Sequence, residues 1–362
     1  MRLTLLCCSI GLLMSHLALS QSIDFEKYNP PSTLVVPQHP VSRSRFPFVD
    51  VHNHQRNMSP GDLDQLIADM NKLNMQVMVN LSGGSGSSLQ QKVQAIRSKY
   101  PNRFLAFANV DFNGVGTAGW TEKAVAQLEA DVRNGASGLK VFKNLGFSVK
   151  DNEGKRVTVD DPRLDAIWAK CGQLKIPVLI HTADPESFWH EPNEDNERWL
   201  ELKTHPNRQK GNDNPAPWQT LIDEQHRMFR KHPSTTFIAA HFGWYPNNLM
   251  KLDSLLTQMP NVVVEFGAVI AELGRQPRQA KAFFEKYQDR ILFGKDSWVP
   301  DEYGTYFRVL ETTDEYFPYH KKYHAFWAMY GLGLGDAVLR KVYYKNALRI
   351  IPGIDKSQFP KE

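Results

Sequence analysis

Phe48-Val49-Asp50-Val51-His52-Asn53-His54 is a valine-rich run that closes on two histidines at strand spacing. Side chains at i and i+2 of a strand point to one face, so both imidazoles can converge on a single metal ion. Catalytic metal sites commonly take three or so protein ligands and leave a position open. Two histidines alone do not make a site. The reading therefore depends on whether comparable runs downstream also end in ligand-type residues.

Seven further short apolar, β-branched or aromatic runs follow: Gln76–Ser82, Phe104–Asp111, Gly138–Phe142, Pro177–Thr182, Thr236–Phe242, Val262–Phe266 and Ile291–Asp296. Most are almost continuously hydrophobic, as strands covered on both faces are. Between them lie amphipathic stretches of helical period, among them Asp62–Leu73, Thr121–Val132, Pro162–Leu174 and Gln279–Tyr287, and a last one near Asp336–Ile350. Eight strands alternating with helices predict an α/β fold, a (β/α)8 TIM barrel. A doubly wound sheet fits the alternation too, but would not gather histidines from strands one, five and six.

Two connections are too long for plain barrel loops: Pro185–Pro217 after strand five and Trp298–Gly335 after strand eight, the second crowded with tyrosine, phenylalanine and tryptophan. Loops that follow strands lie on the catalytic face, so these are expected as lids or pocket walls, with a subunit interface or packing over outer helices as the alternative. The glycine-rich 82–88 segment lacks the Gly-Lys-Ser/Thr ending of a phosphate loop and reads as a flexible connection. No Gly-x-Ser-x-Gly elbow marks a serine hydrolase.

At the N-terminus, Arg2 precedes an apolar run, Leu3 to Leu17, and then Ala18-Leu19-Ser20. The run is shorter than the roughly 20 residues a membrane span requires and reads as a secretory signal cut near Ser20, giving a periplasmic or secreted protein. Residues 21–45 are polar and proline-bearing and read as an extended arm, 46–352 as the barrel and 353–362 as a tail. Cleavage removes Cys7 and Cys8 and leaves Cys171, so no internal disulfide is expected and a large core must stabilise the chain. A net charge of +4 is too mild and too evenly spread to argue for nucleic acid. No other segment reads as transmembrane, which leaves a small molecule as the expected partner.

Polar residues recur at the strand ends: His52 and His54 on strand one, Lys140 in strand four, His181 on five, His241 on six and Asp296 on eight. All project from the carboxyl ends of barrel strands, where this fold places its chemistry. The strand-one His-x-His, the single histidines of strands five and six, and Ile-Leu-Phe-Gly-x-Asp ending at Asp296 resemble the metal-dependent amidohydrolase superfamily. The likeness is to its amidohydrolase-related branch, which includes aminocarboxymuconate-semialdehyde and resorcylate decarboxylases, and it covers roughly Phe48 to Pro352.

The resemblance implies that His52, His54, His181 and Asp296 bind one divalent metal, zinc in the first instance, with Mn²⁺ or Fe²⁺ as alternatives. His241 would sit beside it and steady an oxyanion or the water, and Asp296 would shuttle the proton. Lys140 would contact a substrate carboxylate or, carbamylated, bridge two ions. A homodimer is likewise implied. Arg56, Asn57, Glu265 and Arg275 are candidate substrate contacts, each equally readable as a solvated or salt-bridged residue. Lys295, in the place before Asp296, is expected to point away from the metal.

Three functions follow. The first is a metal-dependent hydrolase using an activated water on a C–O or C–N bond of a small carboxylate, lactone or amide. The second is a non-oxidative decarboxylase of an aromatic or unsaturated acid, and the third a metal-binding barrel without turnover.

Overall fold

The computed structural model describes residues 23–361 apart from 323 and 325. The segment read as a leader lies outside the described residues. The chain divides into two units, Met1–Leu34 and Val35–Glu362. Among its described residues the first shows only a short 3₁₀ turn, Phe25–Lys27.

The second unit contains the barrel. Its strands are β1 (Phe48–Asn53), β2 (Met75–Asn80), β3 (Phe104–Ala106, resuming at Ala108–Asn109), β4 (Leu139–Val141), β5 (Val178–Ile180), β6 (Phe237–Ala239), β7 (Val262–Glu265) and β8 (Ile291–Leu292). Every consecutive pair is parallel. The ring closes where Val51 N donates to Phe293 O at 3.0 Å and Asp296 N donates to His52 O at 2.7 Å. Closure excludes the doubly wound alternative, because an open sheet would leave β1 and β8 unpaired.

The barrel helices are α1 (Pro60–Leu73), α2 (Gly86–Lys99), α3 (Trp120–Arg133), α4 (Asp165–Gln173), α5 (Trp218–Lys231), α6 (Leu249–Gln258) and α7 (Pro277–Lys286). An eighth runs through Asp336–Arg340 and Asn346–Ile350, with a π turn at Lys341–Lys345 between them. In α1, Ser59 and Asp62 form a capping box and Asn74 ends the helix in the left-handed region (φ 71°). Its buried Leu63, Leu66, Met70 and Leu73 follow the 3.6-residue period and cover the sheet. Under the barrel, Phe48 packs against Phe293 at 4.7 Å and against Phe307 at 5.4 Å between ring centroids.

Most strands are shorter than the sequence suggests, two of them notably. The run to Phe242 stops at Ala239, and the run to Asp296 stops at Leu292. At β6 the backbone leaves the ladder just before His241, whereas after β8 it stays bonded to β1 through Phe293 O and Asp296 N. The long loop after β8 forms a helix, Tyr303–Glu311, and a small hairpin pairing Phe317–Pro318 with Ala328–Met329.

Candidate metal centre

The end of β6 turns into a stretch with no counterpart in the sequence reading. His241 (φ 57°), Phe242 (φ 55°), Gly243 (φ 58°) and Trp244 (φ 62°) are all left-handed. Such a backbone costs about 1–2 kcal/mol for each non-glycine residue, so tertiary contacts must hold it. Its effect is to set the His241 and Trp244 rings side by side, 4.6 Å apart and 33° from parallel.

Around His241 the other strand ends converge. His52 Nε2 lies 3.4 Å from Asp296 Oδ1, and His54 Nε2 lies 3.5 Å from the same oxygen. His241 Nε2 lies 3.3 Å from His181 Nδ1. Among the described residues, His52, His241 and Asp296 offer ligand atoms that are all within 4.8 Å of one another.

The hydrogen bonds fix which nitrogens are bare. His52 Nδ1 meets the Glu265 carboxylate at 2.8 Å, and His241 Nδ1 meets the Gly267 carbonyl at 2.6 Å. Those oxygens only accept from a neutral ring, so the proton sits on Nδ1 and Nε2 presents its lone pair. His181 is reversed: Nε2 donates to Ala183 O at 2.7 Å, leaving Nδ1 bare opposite His241. His54 Nδ1 is 3.0 Å from Ser82 Oγ.

Burial lowers His54 and His241 to a pKa of about 4, and it also lowers His52 and His181. Burial alone would raise Asp296, yet His52, His241, His54 and Lys140 together hold it well below the usual carboxylate range. At neutral pH the site therefore has neutral imidazoles around an ionised carboxylate. This is a cation-binding donor set, and the 3.4 and 3.5 Å from Asp296 Oδ1 to the His52 and His54 nitrogens match the roughly 3.3–3.5 Å edge of a tetrahedron with zinc bonds of about 2.0–2.1 Å.

Three sequence expectations change here. His181, with its other nitrogen tied to Ala183 O, turns its bare Nδ1 toward His241 at the edge of the cluster. His241, with a lone pair at Nε2, is an acceptor or metal ligand and not a donor to an oxyanion. Glu265 is not a substrate contact: fully buried beneath the site, it takes His52 Nδ1–H on Oε1, the His241 backbone N–H at 2.8 Å and the Gly267 N–H at 2.6 Å. Arg275 is likewise committed elsewhere, to Glu197 at 3.0 Å and to the face of Trp327 at 3.8 Å.

Lys140 is buried under the histidines, its Nζ 3.3 Å from His52 Nε2, and burial brings its pKa down to about 8. It lines neither of the two cavities that reach Asp296. Lys295 points away from the histidines into an ion pair with Glu302, and Ser297 Oγ is 3.1 Å from its Nζ. Arg56 is exposed and borders a cavity of about 730 Å³ together with His54, Lys92, Phe142, Asp296 and Trp298. A second cavity of about 210 Å³ reaches Asp296 and His241 from the other side, past Lys143, Arg198, Arg208 and Lys321. Both long loops thus contribute walls.

Sequence reading missed Asp50, which ties the ends of β1 and β8 together. Its carboxylate accepts from His52 N (3.0 Å), Lys295 N (3.2 Å), Asn53 Nδ2 (2.9 Å) and Tyr303 Oη (2.6 Å). The available signal was an acid inside a buried apolar run, which needs partners. Glu265 gives the same signal in Val262-Val263-Val264-Glu265.

The match to known proteins is decisive at the level of family. Residues 49–353 fit the family profile described as Amidohydrolase. The chain belongs to the amidohydrolase family. As a member it is a metal-dependent enzyme of the hydrolase or carboxy-lyase kind. No curated protein matches it. Among solved structures, this amidohydrolase is similar to an uncharacterised TIM-barrel protein from Bordetella bronchiseptica, with 16% identity, 84% of this chain and 97% of that one covered, and a TM-score of 0.53.

A dihydroxybenzoic acid decarboxylase from Polaromonas, solved with manganese and 2-nitroresorcinol, gives 14%, 84%, 96% and 0.53 in the same order. The 4-oxalomesaconate hydratase of Rhodopseudomonas palustris gives 12%, 86%, 97% and 0.50. At these identities the likeness is one of fold. No helix among the described residues is long and apolar enough to cross a membrane.

Two predictions arise from this geometry. A methyl group added at Gly294 would collide with Glu265 Oε2 and stand 2.9 Å from His52 Cβ. Gly294→Ala is expected to cost about 1–3 kcal/mol and to weaken metal binding, read by thermal unfolding and metal titration. Burial would raise Glu302, but His320 and Lys295 hold it at about 2. A carboxylate depressed in the fold gives stability that is present above its ordinary 4.5 and lost as the pH falls toward about 2. Glu302→Gln should therefore flatten the acid limb of the stability curve between those values, measured by denaturant unfolding at a series of pH values.

Proposed function

We propose that this amidohydrolase is an exported metal-dependent hydrolase that opens a C–O or C–N bond of a small carboxylate, lactone or amide. The carrying observation is Asp296. It is an ionised carboxylate among neutral imidazoles, bordering both a wide and a narrow cavity.

His52, His54 and Asp296 would hold the ion, with the His241 lone pair beside them. When bound there, a divalent ion supplies Lewis-acid polarisation and makes water a nucleophile near neutral pH. Asp296 takes the proton of the attacking water on its carboxylate and returns it to the leaving oxygen or nitrogen. Glu265 holds His52 in the tautomer that presents Nε2, and the Gly267 carbonyl does the same for His241. Lys140, beneath the site, helps keep Asp296 ionised and the imidazoles neutral. Arg56 and Lys92 on one side, and Lys321 on the other, favour an anionic substrate, while Lys143 and Arg208 are paired with Asp184 and Glu201.

Two observations support other readings. Phe142 and Trp298 wall the wide cavity and suit a flat ring, which favours decarboxylation of an aromatic or unsaturated acid. The bare nitrogens of His181 and His241, 3.3 Å apart, would suit a second ion bridged through carbamylated Lys140.

The test is turnover by the metal-loaded enzyme on panels of lactones, amides and hydroxybenzoates. Acid release without carbon dioxide supports hydrolysis. Carbon dioxide release supports the carboxy-lyase reading, and no turnover of any class refutes both. Export rests on the apolar leader alone, and N-terminal sequencing of the secreted chain should start at Gln21.

A further inference from the structure

Pro185, Arg198 and Trp244 line two cavities at once. The inner one reaches Asp296 and His241. The outer one, about 200 Å³, abuts it across these three residues. A substrate seated at the metal centre would have to pass these three side chains to enter the outer chamber.

The lining of the outer chamber is predominantly acidic. Glu186, Asp195, Glu197 and Glu272 line the outer chamber, against the single guanidinium of Arg198. That guanidinium is spent on Glu201 Oε2, at 2.7 Å, and on Glu272 Oε1. Glu197 is matched by Arg275 at 3.0 Å. Among the described residues, Glu186 and Asp195 are left without a cationic partner.

A second observation is independent of the acidic count. Glu272 is 5% exposed, and its Oε2 has no hydrogen-bond partner among the described residues. Trp244 is 8% exposed, and its Nε1 is likewise without a partner. Native folds rarely leave a buried carboxylate oxygen and an indole N–H unmet. An acceptor needing a donor and a donor needing an acceptor, both in one chamber wall, describe a ligand arm that carries both.

We propose that the outer chamber recognises an amino group at the distal end of the substrate. Its ammonium donates to Glu272 Oε2, with Glu186 and Asp195 adding attraction at the mouth. A carbonyl or hydroxyl oxygen on the same arm accepts from Trp244 Nε1. The substrate class is then a small acid derivative with an ω-amino group, its reacting end in the inner cavity. A metal ion is a poorer fit, because one bare oxygen beside an N–H donor is too few ligands. The proposal rests on the reading of the inner cavity as the substrate site.

The test is calorimetric binding of ω-amino acids, from 4-aminobutanoate to 8-aminooctanoate, against the matched alkanoates, on the full-length metal-loaded protein. At the best chain length the amino acid should bind at least tenfold more tightly than its alkanoate. Glu272→Gln should bring that ratio close to one. Because this change also touches Arg198, the double variant Glu186→Gln/Asp195→Asn provides a control that leaves the Arg198 pair intact, and it should reduce the ratio about threefold.

No preference at any length, or a preference surviving both variants, overturns the proposal. A preference that is present while every ester, lactone and amide goes unhydrolysed sinks the hydrolase reading and keeps the chamber. Hydrolysis without a preference sinks the chamber alone.

Discussion

Asp296→Asn lowers turnover by about three orders of magnitude while the protein stays folded, measured as kcat alongside metal content and thermal unfolding. Among the described residues, the carboxylate is the group shared by the walls of both cavities that can accept a proton from water and give it back, and positioned acid–base groups typically contribute about 10²–10⁴-fold. Asn keeps the shape and tolerates the left-handed backbone, φ 81°, that Asp296 adopts. The fold should thus survive the change. Turnover within tenfold of wild type, with metal retained, would remove Asp296 from the chemistry.

Glu265→Ala is expected to destabilise the protein by several kcal/mol. It strips an acceptor from His52 Nδ1, His241 N and Gly267 N, all buried, and each orphaned donor costs about 1–3 kcal/mol. Glu265→Gln separates folding from function. Its amide oxygen can serve some of those donors, but the charge that fixes the His52 tautomer is gone. Metal affinity should fall about 10–100-fold with a smaller loss of stability. Unchanged affinity in a folded Glu265→Gln protein would make the residue a packing element only.

Much of this was legible in the chain because barrel strands announce themselves as covered apolar runs, and their carboxyl ends are fixed by the turn signals that follow. His52, His54, His241 and Asp296 could be brought together on that basis alone. The orientation of His181 could not. It depends on one torsion and a hydrogen bond to Ala183 O, which the strand pattern does not encode. The left-handed turn from His241 to Trp244 was also hidden, since only Gly243 favours it locally and the rest is imposed by packing. Glu265 and Asp50 were visible as misfit acids in apolar strands, but which imidazole or backbone N–H they served required coordinates. The acidic chamber beyond Trp244 was out of reach, because its residues are scattered over three segments of chain.

The most direct measurement is anomalous diffraction at the metal edge from crystals of the purified protein. The account predicts an ion bonded by His52 Nε2, His54 Nε2 and Asp296 Oδ1 at about 2.0–2.2 Å. An ion found elsewhere, or a fully metal-exposed sample with no peak between those three atoms, would contradict it.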